Sequence, residues 1–165
     1  MASTVREAQE GDLPLLHEIN AAATPGVGAV TPAELKALMD MSAATLVAEA
    51  EDRIAGFMLC LIEGCSYQSL NYRWISTRRA AFAYCDRIAV AADARGCGIG
   101  VRLYEAAFRL FAPTHTSLLC EVNLAPANPG SLRFHKRLGF QPIGERWSDN
   151  GQKGVVYLEK ALARP

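Results

Sequence analysis

The stretch that most limits how this chain can fold is DARGCGIGVRLYEAAF, residues 93–108. It follows an apolar alternation ending at Val90 and opens a segment where Leu103, Ala107 and Leu110 or Phe111 recur at helical spacing. A strand must therefore become a helix through Gly96, Gly98 and Gly100, with Arg95 just ahead of them. Unpaired backbone N–H groups and the positive end of a helix dipole then meet at one point, an anion site whose usual guest is phosphate. Glycine serves there because a Cβ would hold phosphate oxygens off the amides, and because such turns often need φ > 0. Arg95 can add a charge-assisted bond. The spacing GxGxG is neither the GxGxxG of a dinucleotide fold nor the GK[ST] of a P-loop. A glycine-rich connection that binds nothing is the plain alternative.

The length of 165 residues suits a single domain, residues 1–165, with a core large enough to fold alone. No apolar run is long enough to span a bilayer, and MASTVREAQEGD lacks the apolar stretch of a signal peptide, so the expected location is cytoplasmic. With 17 basic and 17 acidic residues the formal net charge is zero, which disfavours a nucleic-acid or membrane partner and favours a small molecule or peptide. Five cysteines (Cys60, Cys65, Cys85, Cys97, Cys120) form no CxxC pair, so neither zinc nor a redox dithiol is expected, and no other metal. Four of them read as small core or strand residues; Cys97 lies inside the glycine turn.

Along the chain, Thr4 to Gln9 alternates as a strand, and Asp12 stands as N-cap of a helix bearing Leu15, Leu16 and Ile19. Thr31, Pro32 and Glu34 start a second helix with a capping box. Thr45 to Ala50 and Arg53 to Ile62 read as a hairpin. Glu63 to Arg79 fits no strand pattern. Ala80 to Ala91 is a strand with Phe82, Tyr84, Ile88 and Val90 on one face. After the helix from Gly98 to Phe111 come a strand (Thr116 to Val122), a short helix stopped by Gly139, and two strands, Phe140 to Trp147 and Val155 to Lys160. Helices two early and two late, around consecutive strands, favour a mixed, mostly antiparallel α+β domain over repeating βαβ units.

The turn, with Arg95, Gly98 and Gly100, and the later NPGSLRFHKRLGF, with Asn128, Ser131, Phe134, Gly139 and Phe140, together resemble the GCN5-related N-acetyltransferase superfamily. In that family the patterns are Q/R-x-x-G-x-G/A and roughly N-x-x-[A/S]-x-x-[L/F]-Y-x-x-x-G-F. The resemblance implies a twisted sheet of six to seven strands, splayed at the middle, with about four helices. It implies acetyl-CoA as cosubstrate and a primary amine as acceptor: a small molecule, an amino acid or a peptide N-terminus, attacked directly in a ternary complex. Ile88, Ala89 and Val90 would face the pantetheine arm; Arg95, Gly96, Cys97, Gly98, Ile99, Gly100 and Val101 the pyrophosphate; Asn128 and Ser131 would add contacts from the last helix. A homodimer is left open, since dimers recur in the family.

Amine attack on a thioester needs a neutral amine, a stabilised oxyanion and a proton for the thiolate. The first candidate base is Glu121 in LLCEVN, because a Glu in a similar stretch is the base in some members that acetylate protein N-termini. Its bland alternative is a surface carboxylate. Asp86, read with Arg87 as a strand-surface ion pair, and Glu63 follow it, and Tyr84 falls where other members carry their base. His135 replaces the family's usual tyrosine; as imidazolium, with a pKa near ~6.5, it can protonate a thiolate whose thiol has a pKa of ~8.5. A solvated helix histidine is the alternative. Tyr72 and Trp74 are the expected acceptor wall, with Thr24 to Val30 as a second. A coenzyme-A-binding or regulatory domain without catalysis, and a thiol hydrolase using Cys97 with His135, are the competing functions.

Overall fold

The computed structural model describes residues 2–163. Its strands are β1 (Ser3–Glu7), β2 (Ala44–Ala50), β3 (Arg53–Ile62), β4 (Ala83–Val90), β5 (Ser117–Ala125), β6 (Gln141–Ser148) and β7 (Lys153–Ala161). Its α-helices are α1 (Leu13–Ala22), α2 (Pro32–Met41), α3 (Leu70–Ser76), α4 (Ile99–Phe111) and α5 (Pro129–Arg137). The strands form one sheet in the order β1-β2-β3-β4-β5-β7-β6. Every pairing is antiparallel except β4 with β5. The mixed, mostly antiparallel class expected from the order of elements is the one observed. Among the described residues no helix is long and apolar enough to cross a membrane.

Each face of the sheet buries its own core. On one, Leu103, Tyr104, Ala107 and Phe111 of α4 pack with Met58, Cys60, Cys85, Leu118 and Cys120. On the other, Leu16 of α1, Leu35 and Leu38 of α2, and Tyr72 and Ile75 of α3 cover Phe57, Leu59, Tyr84 and Leu119. Cys60, Cys85 and Cys120 are buried and Cys97 is exposed; all are free thiols.

Local signals act as their chemistry dictates in most places. Thr31 and Glu34 close a capping box at α2, with Glu34 N–H donating to Thr31 Oγ1 at 3.1 Å and Thr31 N–H to Glu34 Oε2 at 2.7 Å. Glu51 (φ 52) and Asp52 (φ 60) both take the left-handed conformation that a two-residue hairpin turn demands. Asp12, in contrast, does not cap α1. Its carboxylate accepts from Gln9 N–H at 2.7 Å and from Arg6 Nη1 at 2.8 Å, closing a short 3-10 turn before the helix begins.

Two features depart from the sequence reading. The segment without a strand pattern contains α3, capped by Ser69 and anchored by buried Tyr72 and Ile75 at helical spacing. At seven residues it is too short for periodicity to stand out. The second departure is a bulge in β4. Leu59 pairs with Arg87 and Cys60 with Cys85, so Asp86 opposes nothing on β3. One inserted residue reverses the alternation beyond it. Phe82 and Tyr84 therefore share a face with Ala89, while Ile88 and Val90 lie on the α4 side, and the single apolar face expected for that strand does not exist.

The β4–β5 pairing is brief. Only Ala83↔Leu118 and Tyr84↔Leu119 are in register before the strands part. Beyond that point β4 is paired on one side alone, through Gly56↔Val90, Phe57↔Ala89 and Met58↔Ile88. The start of α4 lies tightly over this edge. A Cβ at Gly56 would stand 2.9 Å from the Ala89 carbonyl oxygen and 3.0 Å from Ile99 Cγ2. Gly56→Ala is expected to destabilise the fold by about 1–3 kcal/mol through overpacking, read as a lower urea midpoint at unchanged slope.

Candidate active site

A cleft of about 1180 Å³ opens where β4 and β5 part. Its lining includes Ile88 to Val90, the glycine turn, the starts of α4 and α5, the loop after α1, Asn71, Asp86, Arg87, Glu121 and Asn123. Of the residues expected to hold the cofactor, all but Cys97 line the cleft. Cys97 is exposed, with its thiol 3.8 Å from the Arg95 carbonyl.

The turn fits a diphosphate. Gly96 (φ +77) and Gly98 (φ +80) occupy the left-handed region that glycine adopts readily, and a Cβ on either would meet nothing within 4 Å. Gly98 is the N-cap of α4, and Arg102 N–H is the first to close a helical bond, to the Gly98 carbonyl at 3.1 Å. The earlier amides of that turn have no intrahelical acceptor and lie at the positive end of the helix dipole. Gly100 differs in purpose. A Cβ there would lie 2.9 Å from Phe134 Cζ, so this glycine lets α4 close on α5 rather than clearing an amide. Asn128 caps α5, accepting from Ser131 N–H at 3.2 Å.

Glu121 of β5 lines the cleft and is no surface carboxylate. Its Oε2 accepts from the Tyr84 hydroxyl at 2.7 Å and its Oε1 from Asn71 Nδ2 at 3.1 Å. Burial pushes its carboxyl up to about 8; the Tyr84 bond opposes that, Asp86 adds to it, and the Asn71 bond opposes it again. Burial also pushes the Tyr84 phenol up, which keeps it a proton donor to Glu121. Tyr84 thus accompanies the carboxylate of β5 from the neighbouring strand.

Asp86 and Arg87 form an ion pair at 2.8 Å, with side chains 4% and 6% exposed, not the surface pair expected from their sequence adjacency. The bulge explains this by turning neighbours that would otherwise diverge toward one side. Arg87 Nη1 also donates to Asn20 Oδ1 at 2.9 Å and to the Gly28 carbonyl at 3.2 Å. That guanidinium ties the loop after α1 to β4, and Thr24 to Gly28, from the stretch Thr24 to Val30, line the cleft. Glu63 lies elsewhere, accepting from Phe82 N–H at 3.0 Å and facing His115 Nε2 at 3.1 Å.

His135 is 3% exposed, so it is not a solvated helix histidine. Its Nδ1 lies 2.8 Å from the Ser131 carbonyl, which can only accept, so Nδ1 carries the proton. Nε2 is then an acceptor for the Tyr104 hydroxyl at 2.7 Å. Burial holds the imidazole below its ordinary value near 6.5, which keeps it neutral. This differs from the expected imidazolium acid: as placed, His135 has no proton to offer at Nε2 and instead orients Tyr104.

Tyr72 and Trp74 are not free to receive an acceptor. The Tyr72 hydroxyl donates to the Ile62 carbonyl at 2.6 Å and accepts from Cys65 N–H at 3.2 Å. Trp74 stacks on Tyr157 with centroids 3.9 Å apart, and the Arg78 guanidinium lies 3.7 Å from the indole centroid. Two groups at those distances must occupy opposite faces, so the indole is sandwiched. The residues that sequence reasoning missed are Asn71, Tyr104, Arg146 and Tyr157. The buried Tyr72–Ile75 spacing behind a serine cap was the available signal for Asn71; the others carry no local signature.

Comparison with known proteins agrees with this geometry. Ard1 from Thermoplasma volcanium superposes with a TM-score of 0.79 at 18% identity, covering 99% of this chain and 99% of that one. The ribosomal-protein-S18-alanine N-acetyltransferase from Escherichia coli gives 0.76 at 16% identity, covering 99% and 96%. NAA60 from Arabidopsis thaliana, in complex with a bisubstrate analogue, gives 0.77 at 15% identity, covering 99% and 100%. At these identities the likeness is one of fold. No curated protein matches the chain by sequence at a significant level. The sequence profile of the acetyltransferase (GNAT) family matches residues 13–140, the span from α1 through α5 that lines the cleft, and the chain belongs to that family.

Proposed function

We propose that this acetyltransferase moves the acetyl group of acetyl-CoA to a primary amine, with Glu121 as the base and a peptide N-terminus as the best-matched acceptor. The observation that carries this reading is Glu121 itself: a carboxyl with two donors, pushed up to about 8, in the same cleft that the glycine turn lines. A base works best when its pKa lies near that of the group it deprotonates and near the working pH. An α-amino group titrates at ~7.7–8.0 and a lysine-like amine at ~10.4, so proton transfer to Glu121 is nearly level for the first and uphill for the second. Small amines and free amino acids belong to the same test.

In this reading the open amides of the turn and Arg95 hold the diphosphate, and Ile88 to Val90 lie along the arm that carries the thioester. Acetyl-CoA supplies the acyl group. The acceptor ammonium gives one proton to Glu121. As the C–N bond forms and the C–S bond breaks, nitrogen loses a second proton, which ends on the leaving sulfur. The loop after α1, anchored by Arg87, supports the exclusion of water from this exchange.

Release of free thiol from acetyl-CoA, measured over a panel of peptides, amino acids and alkyl amines, tests the reading. At saturating acceptor, kcat should rise with pH to a plateau with a midpoint near 8, because the deprotonated carboxylate is the active form. Glu121→Gln should remove that limb and lower kcat by roughly 10²–10⁴-fold; an unchanged rate would remove Glu121 from the chemistry. Gly98→Ala puts a Cβ on a residue held at φ +80 and so distorts the turn. It should weaken acetyl-CoA binding by roughly tenfold, equivalent to ~1.4 kcal/mol, as read by calorimetry.

A further inference from the structure

One of the two donors on Glu121 belongs to a chain of side chains reaching across the sheet. Asn71 gives its Nδ2 to Glu121, while its Oδ1 accepts from Arg146 Nη2 at 3.0 Å and from the Tyr157 hydroxyl at 2.9 Å. Arg146 Nε donates in turn to the Tyr157 hydroxyl at 3.1 Å. A guanidinium has no acceptor and keeps its protons, so the Asn71 oxygen must face Arg146 and its amide nitrogen must face Glu121. Tyr157, already accepting from Arg146, has its own proton free for the same Asn71 oxygen. Each bond fixes the sense of the next, and a flipped Asn71 would set its nitrogen against two donors.

The three residues come from α3, β6 and β7, and the stack of Trp74 on Tyr157 holds the helix to the sheet at this place. We propose that Arg146, Tyr157 and Asn71 form a positioning relay that keeps an amide donor on Glu121 Oε1, fixing the carboxyl's orientation and favouring its charged form. The inference deepens the assignment of Glu121 as base and rests on it for its catalytic meaning. The other groups facing Glu121 are Tyr84, Asp86 and Arg87 from β4 and Tyr67 from the segment before α3. Asp86 and Arg87 are paired with each other, so their opposed charges partly cancel at Glu121.

The test reads Glu121 in two independent ways: its carboxyl titration by ¹³C NMR in the whole protein, and the pH dependence of kcat. Asn71→Ala removes the donor, and Arg146→Met removes the group that orients it. Each should raise the titration midpoint by about one pH unit and carry the kcat limb upward with it. Arg146→Lys, which keeps the charge and one donor, should shift it less. Arg146→Met leaves Asn71 and the α3 core in place, so it serves if Asn71→Ala fails to fold. A Glu121 midpoint unmoved or lowered in Arg146→Met overturns the relay, whatever the kinetics show. If Glu121→Gln keeps the wild-type kcat profile, the base assignment fails instead, and the NMR titration still decides whether the relay governs the carboxyl.

Discussion

Two neighbouring strands that start paired and then part leave a row of backbone groups without partners, and buried groups of that kind must be met by something. In this protein β4 and β5 share only two residue pairs before separating, and the rest of the architecture depends on that separation. The β4 edge from Ile88 to Val90 faces the gap, the glycine turn continues directly from it, and α4 starts over Gly56. An extended thioester arm ending in a diphosphate suits this sequence of surfaces: peptide groups along the arm, then amides freed of side chains at a helix N-terminus. The gap also leaves Glu121, on the far strand, lining the same cleft.

The bulge at Asp86 has consequences beyond the bend it makes. By adding one residue to β4 it changes which side chains look into each core, and it brings Asp86 and Arg87 together where they would otherwise diverge. Burying such a pair is costly unless its remaining hydrogen-bonding capacity is met. Asn20 and Gly28 meet part of it and fasten the loop after α1 in the process. The cleft lining around β4 and β5 is consequently a network of paired polar groups, in which Glu121 is held by neutral donors and not by a direct salt bridge. Burial raises its proton affinity and the neutral donors only partly oppose that, while Asp12, gripped by Arg6, is lowered.

The same logic governs His135, which also lines the cleft. Ser131 on its own helix fixes the tautomer, and Tyr104 from α4 takes the other nitrogen, so the pair locks α5 to α4. Phe134 beside Gly100 completes that contact. The family's second sequence pattern thus serves as helix-to-helix packing at Phe134 and Phe140 and as a hydrogen-bonded polar joint at His135.

What the amino-acid order determined by itself was local. Caps, turn residues and alternation specify neighbours along the chain, so the capping box at Thr31, the hairpin turn at Glu51-Asp52 and the strand–glycine–helix unit were all readable. The motifs at Arg95 to Gly100 and Asn128 to Phe140 were enough for the family, since short spacings alone define them. Tertiary structure decided everything that depends on residues distant in sequence. It placed the bulge at Asp86, which is a matter of register against β3, and the helix carrying Asn71, whose seven residues are stable only against the sheet. It also decided the states of the ionisable groups. The sequence left Glu121 and His135 open between a catalytic and a surface reading, and burial among Tyr84, Asn71, Tyr104 and Ser131 makes one a high-pKa carboxyl and the other a neutral imidazole. Desolvation and hydrogen-bond partners are properties of three-dimensional neighbours, which no local pattern in the chain encodes.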